Sequence, residues 1–319
     1  MHTFFLLLAL LIAGLAAGCG SVLLRLAPAG GRRPLALGVL AAPPLALAFA
    51  AYHVTPLFWM DCSPLAGWDR IATLTLLGAI AAVAAVALIL NCARLVLIER
   101  LLSACPPLST EDRPALLPTL TRRQGVELPD VRLIDADAPL AAAGGLWRPA
   151  VVLSTWLLEH LDPEELAAVF AHELVHVSRR DYLTRWAARV LRDATVYLPS
   201  AWYALAVVEM DEELHADAEA VKLTGRPLAM ASALGKVWAG ALTSPRPLVL
   251  AGLPNYAGNS QALLEERLSR LMDGKVEQKS SAMVRGLAGL GILSLSGLVP
   301  RLLLMGATAL PLVCSVRPH

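Results

Sequence analysis

Long apolar runs limit what the N-terminal part of this chain can become. The first extends from Thr3 to Leu26, with no charge before Arg25. The second extends from Leu35 to Met60 and is broken by Pro43-Pro44. The third extends from Ile71 to Ile98 and is polar only at Thr73, Thr75, Asn91 and Arg94. Each reaches the roughly 20 residues that a helix needs to cross a bilayer. A fourth run, Leu287 to Cys314, is interrupted by Pro300-Arg301. An arginine there should face protein or snorkel to the interface rather than lie in lipid. The expectation is an α-helical membrane protein with about four transmembrane helices. Three fall in residues 1–100, a folded domain in 101–284, and the fourth helix with a short tail in 285–319.

Composition agrees with this division. Hydrophobic residues make up 56% of the chain and charged residues 17%, where a soluble domain carries about 25% charged residues. The apolar excess sits at the two ends, and the middle reads as an ordinary soluble domain. A net charge of +1 points to no direct nucleic acid binding. The lipid bilayer is the first expected partner.

The first run has a rival reading as a signal peptide, because Ala16-Ala17-Gly18-Cys19 faintly resembles a lipoprotein cleavage site. The segment before it has no Lys or Arg, and the apolar stretch continues past Cys19. A retained helix fits better. Loop charges set the orientation. Arg25, Arg32 and Arg33 precede and fill the first loop, while the second, Asp61 to Arg70, holds two aspartates and one arginine. Arg94 and Arg100 follow the third helix, and Lys275, Lys279 and Arg285 precede the fourth. This puts the first loop and the central domain in the cytoplasm, and the N-terminus, the second loop and the C-terminal tail outside. Cys19, Cys62, Cys92, Cys105 and Cys314 form no metal or redox spacing. Cys62 and Cys314 would share the outer side.

Within the middle domain, His172-Glu173-Leu174-Val175-His176 reads H-E-x-x-H. Residues four apart share a helix face, so His172 and His176 can offer two imidazole nitrogens to one metal ion. Glu173 can reach a water beside it. A catalytic zinc takes three protein ligands and keeps an open position. The metal lowers the pKa of its water to about 7, and the glutamate takes and returns a proton. A lone histidine is more often packed or solvated than a ligand. Two that bracket a glutamate on a well-signalled helix are different. Asp162-Pro163-Glu164-Glu165 supplies an N-cap, a proline at the first helical position and an acid at the third. Leu166, Val169, Phe170, Leu174 and Val177 form an apolar stripe.

The third ligand should be His, Asp or Glu on a nearby helix. Glu209 to Glu219 is rich in candidates, and periodicity leaves Glu209, Glu212, Glu213 and His215 all open. Glu213 and Asp217 share a face, so one can bind metal while the other hydrogen-bonds a ligand histidine. Asp181 either orients a ligand or caps the next helix. Tyr182 to Met210 is largely apolar and helical, broken at Pro199. Its Arg185, Arg189, Arg192 and Asp193 point to a buried or interfacial helix pair rather than a fifth span.

Ahead of the H-E-x-x-H helix, Leu116 to Gln124 reads as a short helix, and Val131 to Ile134 and Pro149 to Ser154 read as strands. Between them, Ala143-Gly144-Gly145 has two readings. It is either the exposed edge onto which an extended peptide adds as a strand, or an ordinary hairpin turn. Ser244 to Ser260 looks like a loop, and Leu263 to Met272 is an amphipathic helix.

Taken together these segments resemble the integral-membrane metallopeptidases of the BlaR/MecR type, gluzincins related to the HtpX and CAAX prenyl protease group. The resemblance rests on Leu153-Ser154, on Leu166 through His176, and on Asp181. Leu198-Pro199-Ser200-Ala201-Trp202 is similar to the Pro-x-x-Trp segment of the BlaR/MecR group. Glu213-Leu214-His215-Ala216-Asp217 matches the E-x-x-x-D motif of both groups, and Leu264 to Leu271 resembles a segment before the last membrane helix. The likeness covers roughly Val131 to Gly274. It implies an α+β zincin-like domain with zinc on His172, His176 and Glu213. It further implies Glu173 as general base, Asp217 bonded to a ligand histidine, and a peptide substrate along Ala143, Gly144 and Gly145.

The implied activity is that of a zinc metalloendopeptidase acting on a protein or peptide in signal transduction, with a BlaI/MecI-type repressor or the chain itself as substrate. A quality-control protease of the HtpX type is the enzyme alternative. A membrane signalling scaffold that keeps its metal without turnover is the other. Two features depart from the BlaR/MecR pattern. Ala216 replaces the usual cysteine, and only about five residues follow the last apolar run, leaving no room for a penicillin-binding sensor domain. Sensing would then fall to a separate subunit. His215 and Tyr182 are candidates for stabilising an oxyanion.

Overall fold

The computed structural model describes residues 2–27, 32–57, 66–109, 117–145, 149–243 and 261–272. The fourth apolar run, the loop after Thr243, Cys62 and Cys314 lie outside them. In chain order the elements are α1 (His2–Leu26), α2 (Arg32–Leu57), α3 (Ala66–Ala104) and α4 (Leu117–Gln124). Then come β1 (Asp130–Ile134), β2 (Ala141–Gly144) and β3 (Ala150–Ser154). Six helices follow: α5 (Thr155–His160), α6 (Pro163–Arg179), α7 (Asp181–Ala194), α8 (Pro199–Thr224), α9 (Pro227–Thr243) and α10 (Gln261–Met272). The chain forms two compact units, and neither is one continuous stretch. Among the described residues, one unit runs to Asn91 and takes in Ala187–Glu209, and the other comprises Cys92–Trp186 and the part that begins at Met210.

In the first unit α1, α2 and α3 are each long and apolar enough to cross a membrane. α1 and α2 pack antiparallel. Leu6, Ala9 and Ala13 meet Ala46 and Ala50, while Ala17 and Leu24 meet Leu35, Ala36, Val39 and Leu40. Small residues bring two helix backbones close where lipid offers no hydrophobic drive between them. α1 and α3 begin at the same level, because the backbone N–H groups of His2 and Thr3 donate to the Asp69 carboxylate at 2.8 and 3.1 Å. Much of α3 is exposed and apolar, including Ile71, Leu74, Val86, Ile89 and Leu90, as suits a helix wetted by lipid. The second apolar run forms one helix, and α2 continues through Pro43-Pro44. Proline ordinarily kinks or breaks a helix, but neighbouring helices and local adjustments tolerate it in membrane spans.

In the second unit a three-stranded sheet has the order β1-β3-β2. β3 pairs parallel with β1 and antiparallel with β2. All five residues of β3 are buried, because a central strand is covered on both faces. Val151 and Leu153 point into a core with Phe170, Leu174 and Val175 of α6. Val152 points the other way, to Leu102 and Leu140, as the period of two requires.

The N-terminus of α6 is fixed as the sequence predicts. Asp162 accepts from the N–H groups of Glu164 and Glu165, and the Glu165 carboxylate accepts from the N–H of Asp162. Glu165 also bonds Ser232 at 2.6 Å and Lys236 at 2.7 Å, which ties α6 to α9. Burial raises a carboxyl's pKa, but Lys236, then Ser232 and the Asp162 backbone, hold Glu165 below its ordinary value. The expected apolar stripe understates the packing, since α6 is buried continuously from Glu165 to Val177.

Candidate metal centre

Two helices bring the donors together. α6 presents His172 and His176 one turn apart, and both are buried. α8 supplies Glu213. His172 Nε2 lies 3.2 Å from His176 Nε2 and 3.4 Å from Glu213 Oε2. His176 Nε2 lies 3.7 Å from Glu213 Oε1. Nitrogen and oxygen ligands about 2.0–2.1 Å from a tetrahedral ion sit roughly 3.4 Å from one another. The observed triangle has that size, so His172, His176 and Glu213 can hold a metal ion.

Each imidazole is oriented from behind. His176 Nδ1 lies 2.9 Å from Asp181 Oδ2, and His172 Nδ1 lies 2.9 Å from Asp217 Oδ1. A carboxylate on Nδ1 fixes the tautomer that leaves Nε2 free for a metal and raises its basicity. Asp181 reaches back because the residue before it reverses the chain. Arg180 ends α6 in the left-handed region, at φ 52° and ψ 40°. Asp181, which the sequence allowed to be a cap or an orienting group, therefore faces a histidine of the triangle.

Arginines hold the carboxylates in turn. Arg267 of α10 grips Asp217 with both arms at 2.7 Å and reaches Glu213 Oε2 at 3.1 Å. Arg185 of α7 donates to Glu212 at 3.0 Å and to Glu213 Oε1 at 3.2 Å. Neither arginine is marked in the sequence as part of a site. Arg185 reads as a reason against a membrane helix, and Arg267 as one cation on an amphipathic helix.

The electrostatics follow from this packing in the metal-free protein. Burial works against a charged His172, but Asp217 and Glu213 outweigh it and push its pKa up to about 10. Burial favours neutral carboxyls, yet Arg267, then His172 and His176, hold Glu213 well below the usual carboxylate range. Arg267 and then His172 lower Asp217 likewise. The positive charge that a metal would bring is partly supplied by a proton on His172.

The remaining sequence candidates separate cleanly. Glu209 pairs with Arg189 at 2.9 Å and Glu212 with Arg185, and neither joins the donor triangle. His215 is half-buried on α8 and also stands outside it among the described residues. Glu173 is buried beside His172. Ala143 and Gly144 belong to β2, an edge strand whose register is Ala143 opposite Val151 and Gly144 opposite Ala150. Both readings of the segment meet here: Ala143 and Gly144 lie in the edge strand, and Gly145 begins the connection to the antiparallel β3. Gly145, just past that strand, has φ +103°, a conformation that residues with a side chain disfavour.

A family description, BlaR1 peptidase M56, matches residues 63–231, more than half of the chain. A relative named Protease HtpX homolog, from Methanopyrus kandleri, is 30% identical over 133 residues. That match covers 33% of this chain and 42% of the relative, so the chain spans less than half of that protein's length. The family match runs through α6 and α8 and takes in all three donors of the triangle. On that ground the chain belongs to the BlaR1 peptidase M56 family of membrane metallopeptidases.

Proposed function

We propose that the protein is a zinc-dependent endopeptidase of a bacterial inner membrane, with its catalytic domain on the cytoplasmic side. The observation that carries this reading is the triangle His172, His176 and Glu213, with edges of 3.2 to 3.7 Å. Its donor set, two imidazoles and one carboxylate, suits zinc. A bound zinc would polarise the scissile carbonyl and acidify a water. The chain's own groups do the rest. Glu173 removes a proton from the attacking water and delivers it to the departing amine nitrogen, so that the peptide C–N bond breaks as the new C–O bond forms. Asp217 and Asp181 keep the two imidazoles aimed. An extended substrate adds to the edge of β2 along Ala143, Gly144 and Gly145, antiparallel or parallel to it, through backbone hydrogen bonds.

For the substrate we favour a cytoplasmic or juxtamembrane protein in signal transduction, with a BlaI/MecI-type repressor or the chain itself as the first choice and a separate subunit as sensor. The HtpX-like reading, a membrane quality-control protease, draws on the 30% identity with the Protease HtpX homolog. The two are separated by whether cleavage is selective for one folded regulator or general for unfolded membrane proteins.

The test is metal content and self-cleavage of detergent-purified protein beside Glu173→Gln and Glu213→Ala. The expected result is near-stoichiometric zinc in the native protein and in Glu173→Gln, loss of zinc in Glu213→Ala, and cleavage by the native protein only. Absence of zinc from metal-replete native protein sinks the proposal. Zinc with unaltered biological output in Glu173→Gln would turn it into a scaffold.

A further inference from the structure

The α7–α8 connection groups with α1, α2 and the first part of α3. Ala188, Ala201, Ala204, Leu205, Val207 and Val208 share one core with Ala17, Leu24, Leu35 and Leu40 of the membrane helices. Its depth can be measured against α1. Leu198 Cδ2 lies 3.7 Å from where a Cβ on Gly14 would stand. Gly14 is the middle residue of α1 (His2–Leu26). At 1.5 Å per residue the distance from Gly14 to the end of α1 is about 18 Å, and half the hydrocarbon thickness is about 15 Å. The connection therefore reaches the level of the bilayer midplane.

We infer that the α7–α8 connection is a re-entrant hairpin: it enters the leaflet in which α1 ends, turns near the midplane, and presents Val196 and Tyr197 to the lipid acyl chains. Three further observations agree. First, charge is confined to the shallow part. Asp193 accepts from Asn91 at 2.8 Å and pairs with Arg192 at 2.6 Å. Asn91 follows Asp69 on α3 by as many residues as Leu24 follows His2 on α1, and Asp69 sits level with His2. This places the Asp193 carboxylate near the Leu24 end, at headgroup depth, where charged groups are tolerated. Arg25 lies 5.5 Å over the Tyr203 ring and Arg192 4.1 Å over Trp202, which is how cations and aromatic rings share a membrane interface.

Second, the tip, Ala194 to Leu198, has no charge. Third, several of its polar groups bond within the hairpin, as suits a segment in lipid. The Thr195 hydroxyl donates to Leu191 O at 2.7 Å and the Leu198 N–H to Thr195 O at 2.9 Å. The Trp202 indole donates to Val196 O at 3.1 Å. Yet Val196 and Tyr197 are 46% and 45% exposed. Large apolar side chains at midplane depth, half uncovered, fit acyl chains.

The test places a photoreactive p-benzoylphenylalanine at Val196 or at Tyr197 of the full chain in phosphatidylcholine vesicles, with exposed Arg122 of α4 as the control position. Each variant is first checked for an unchanged thermal midpoint. On irradiation, phospholipid adducts are expected on the peptides carrying positions 196 and 197 and not on that carrying 122. Cross-links to a second copy of the chain, cross-links to residues 273–319, or no lipid adduct at either position would overturn the hairpin's placement. The outcome does not depend on peptidase activity.

Discussion

Both oxygens of Glu213 face a guanidinium as well as an imidazole. The carboxylate is thus positioned by Arg267 and Arg185 before any metal arrives. Removing Arg267 should release Glu213 and leave Asp217 with less support, and losses of such supporting groups typically cost about 10–100-fold in metal affinity. Arg267→Ala is expected to lose metal to a chelator that leaves the native protein loaded. Arg267→Lys should recover only part, because one ammonium cannot span two carboxylates. A second expectation concerns pH. His172 is raised from 6.5 to about 10, so its contribution to the metal-free fold is complete below about 6.5 and fades as pH rises through about 10. Glu213 and Asp217 are lowered, so theirs is present above about 4.5 and fades in acid. The metal-free protein should be most stable between these limits. Metal must displace the His172 proton, so affinity should climb with pH across the neutral range. Calorimetry in buffers of different ionisation enthalpy should record proton release on binding. At this scale the sequence was informative where partners are close in the chain. His172, Glu173 and His176 are three residues within five positions of one helix. The choice of Glu213 over Glu212 or Glu209 depends on how α8 is rotated against α6, and the roles of Arg185 and Arg267 on which helices meet. Neither is a local property.

Helix α9 carries two glycines that the fold treats differently. A Cβ on Gly240 would fall 2.5 Å from Trp156 Cζ2, whereas one on Gly235 meets nothing within 4 Å. Trp156 cannot retreat freely, since its ring stacks on His160 with centroids 4.2 Å apart. Gly240→Ala should therefore cost about 1–3 kcal/mol through overpacking. Gly235→Ala should gain roughly 0.5–1 kcal/mol, because alanine loses less backbone freedom in a helix. Thermal unfolding of the two variants side by side checks both signs. Most elements were legible from local signals: the Asp162 capping box, the apolar run of β3, and the lengths of α1 and α3. The ease with which α2 passes Pro43-Pro44 was not. Proline's helix-breaking cost is set by surroundings, and α1 packed along α2 supplies surroundings that an isolated stretch of sequence does not display.

At the scale of the whole molecule, apolar length was enough to find three helices able to cross a membrane among the described residues, because the bilayer imposes length on each helix separately. The membership of Ala187–Glu209 in the same unit was not readable, since it rests on contacts between residues far apart in the chain. The packing of that unit depends on small side chains. Ala13, buried where α1 meets α2, is 2% exposed. Ala13→Leu should force the helices apart and lower stability by about 1–3 kcal/mol, seen as an earlier midpoint in denaturation from detergent micelles.

The left-handed turn at Arg180 also bears on timing. His176 receives its orienting carboxylate from Asp181, five positions later, while His172 and the third donor wait for α8 and α10. A ribosome that has released α6 and α7 has delivered one aligned imidazole and one that still lacks its partner. The full donor set exists only after Glu213 has emerged, and its arginine clamp only after Arg267. The order of residues along the polypeptide thus sets the order in which the centre is completed: one aligned imidazole first, then the donor set, and last the arginine clamp.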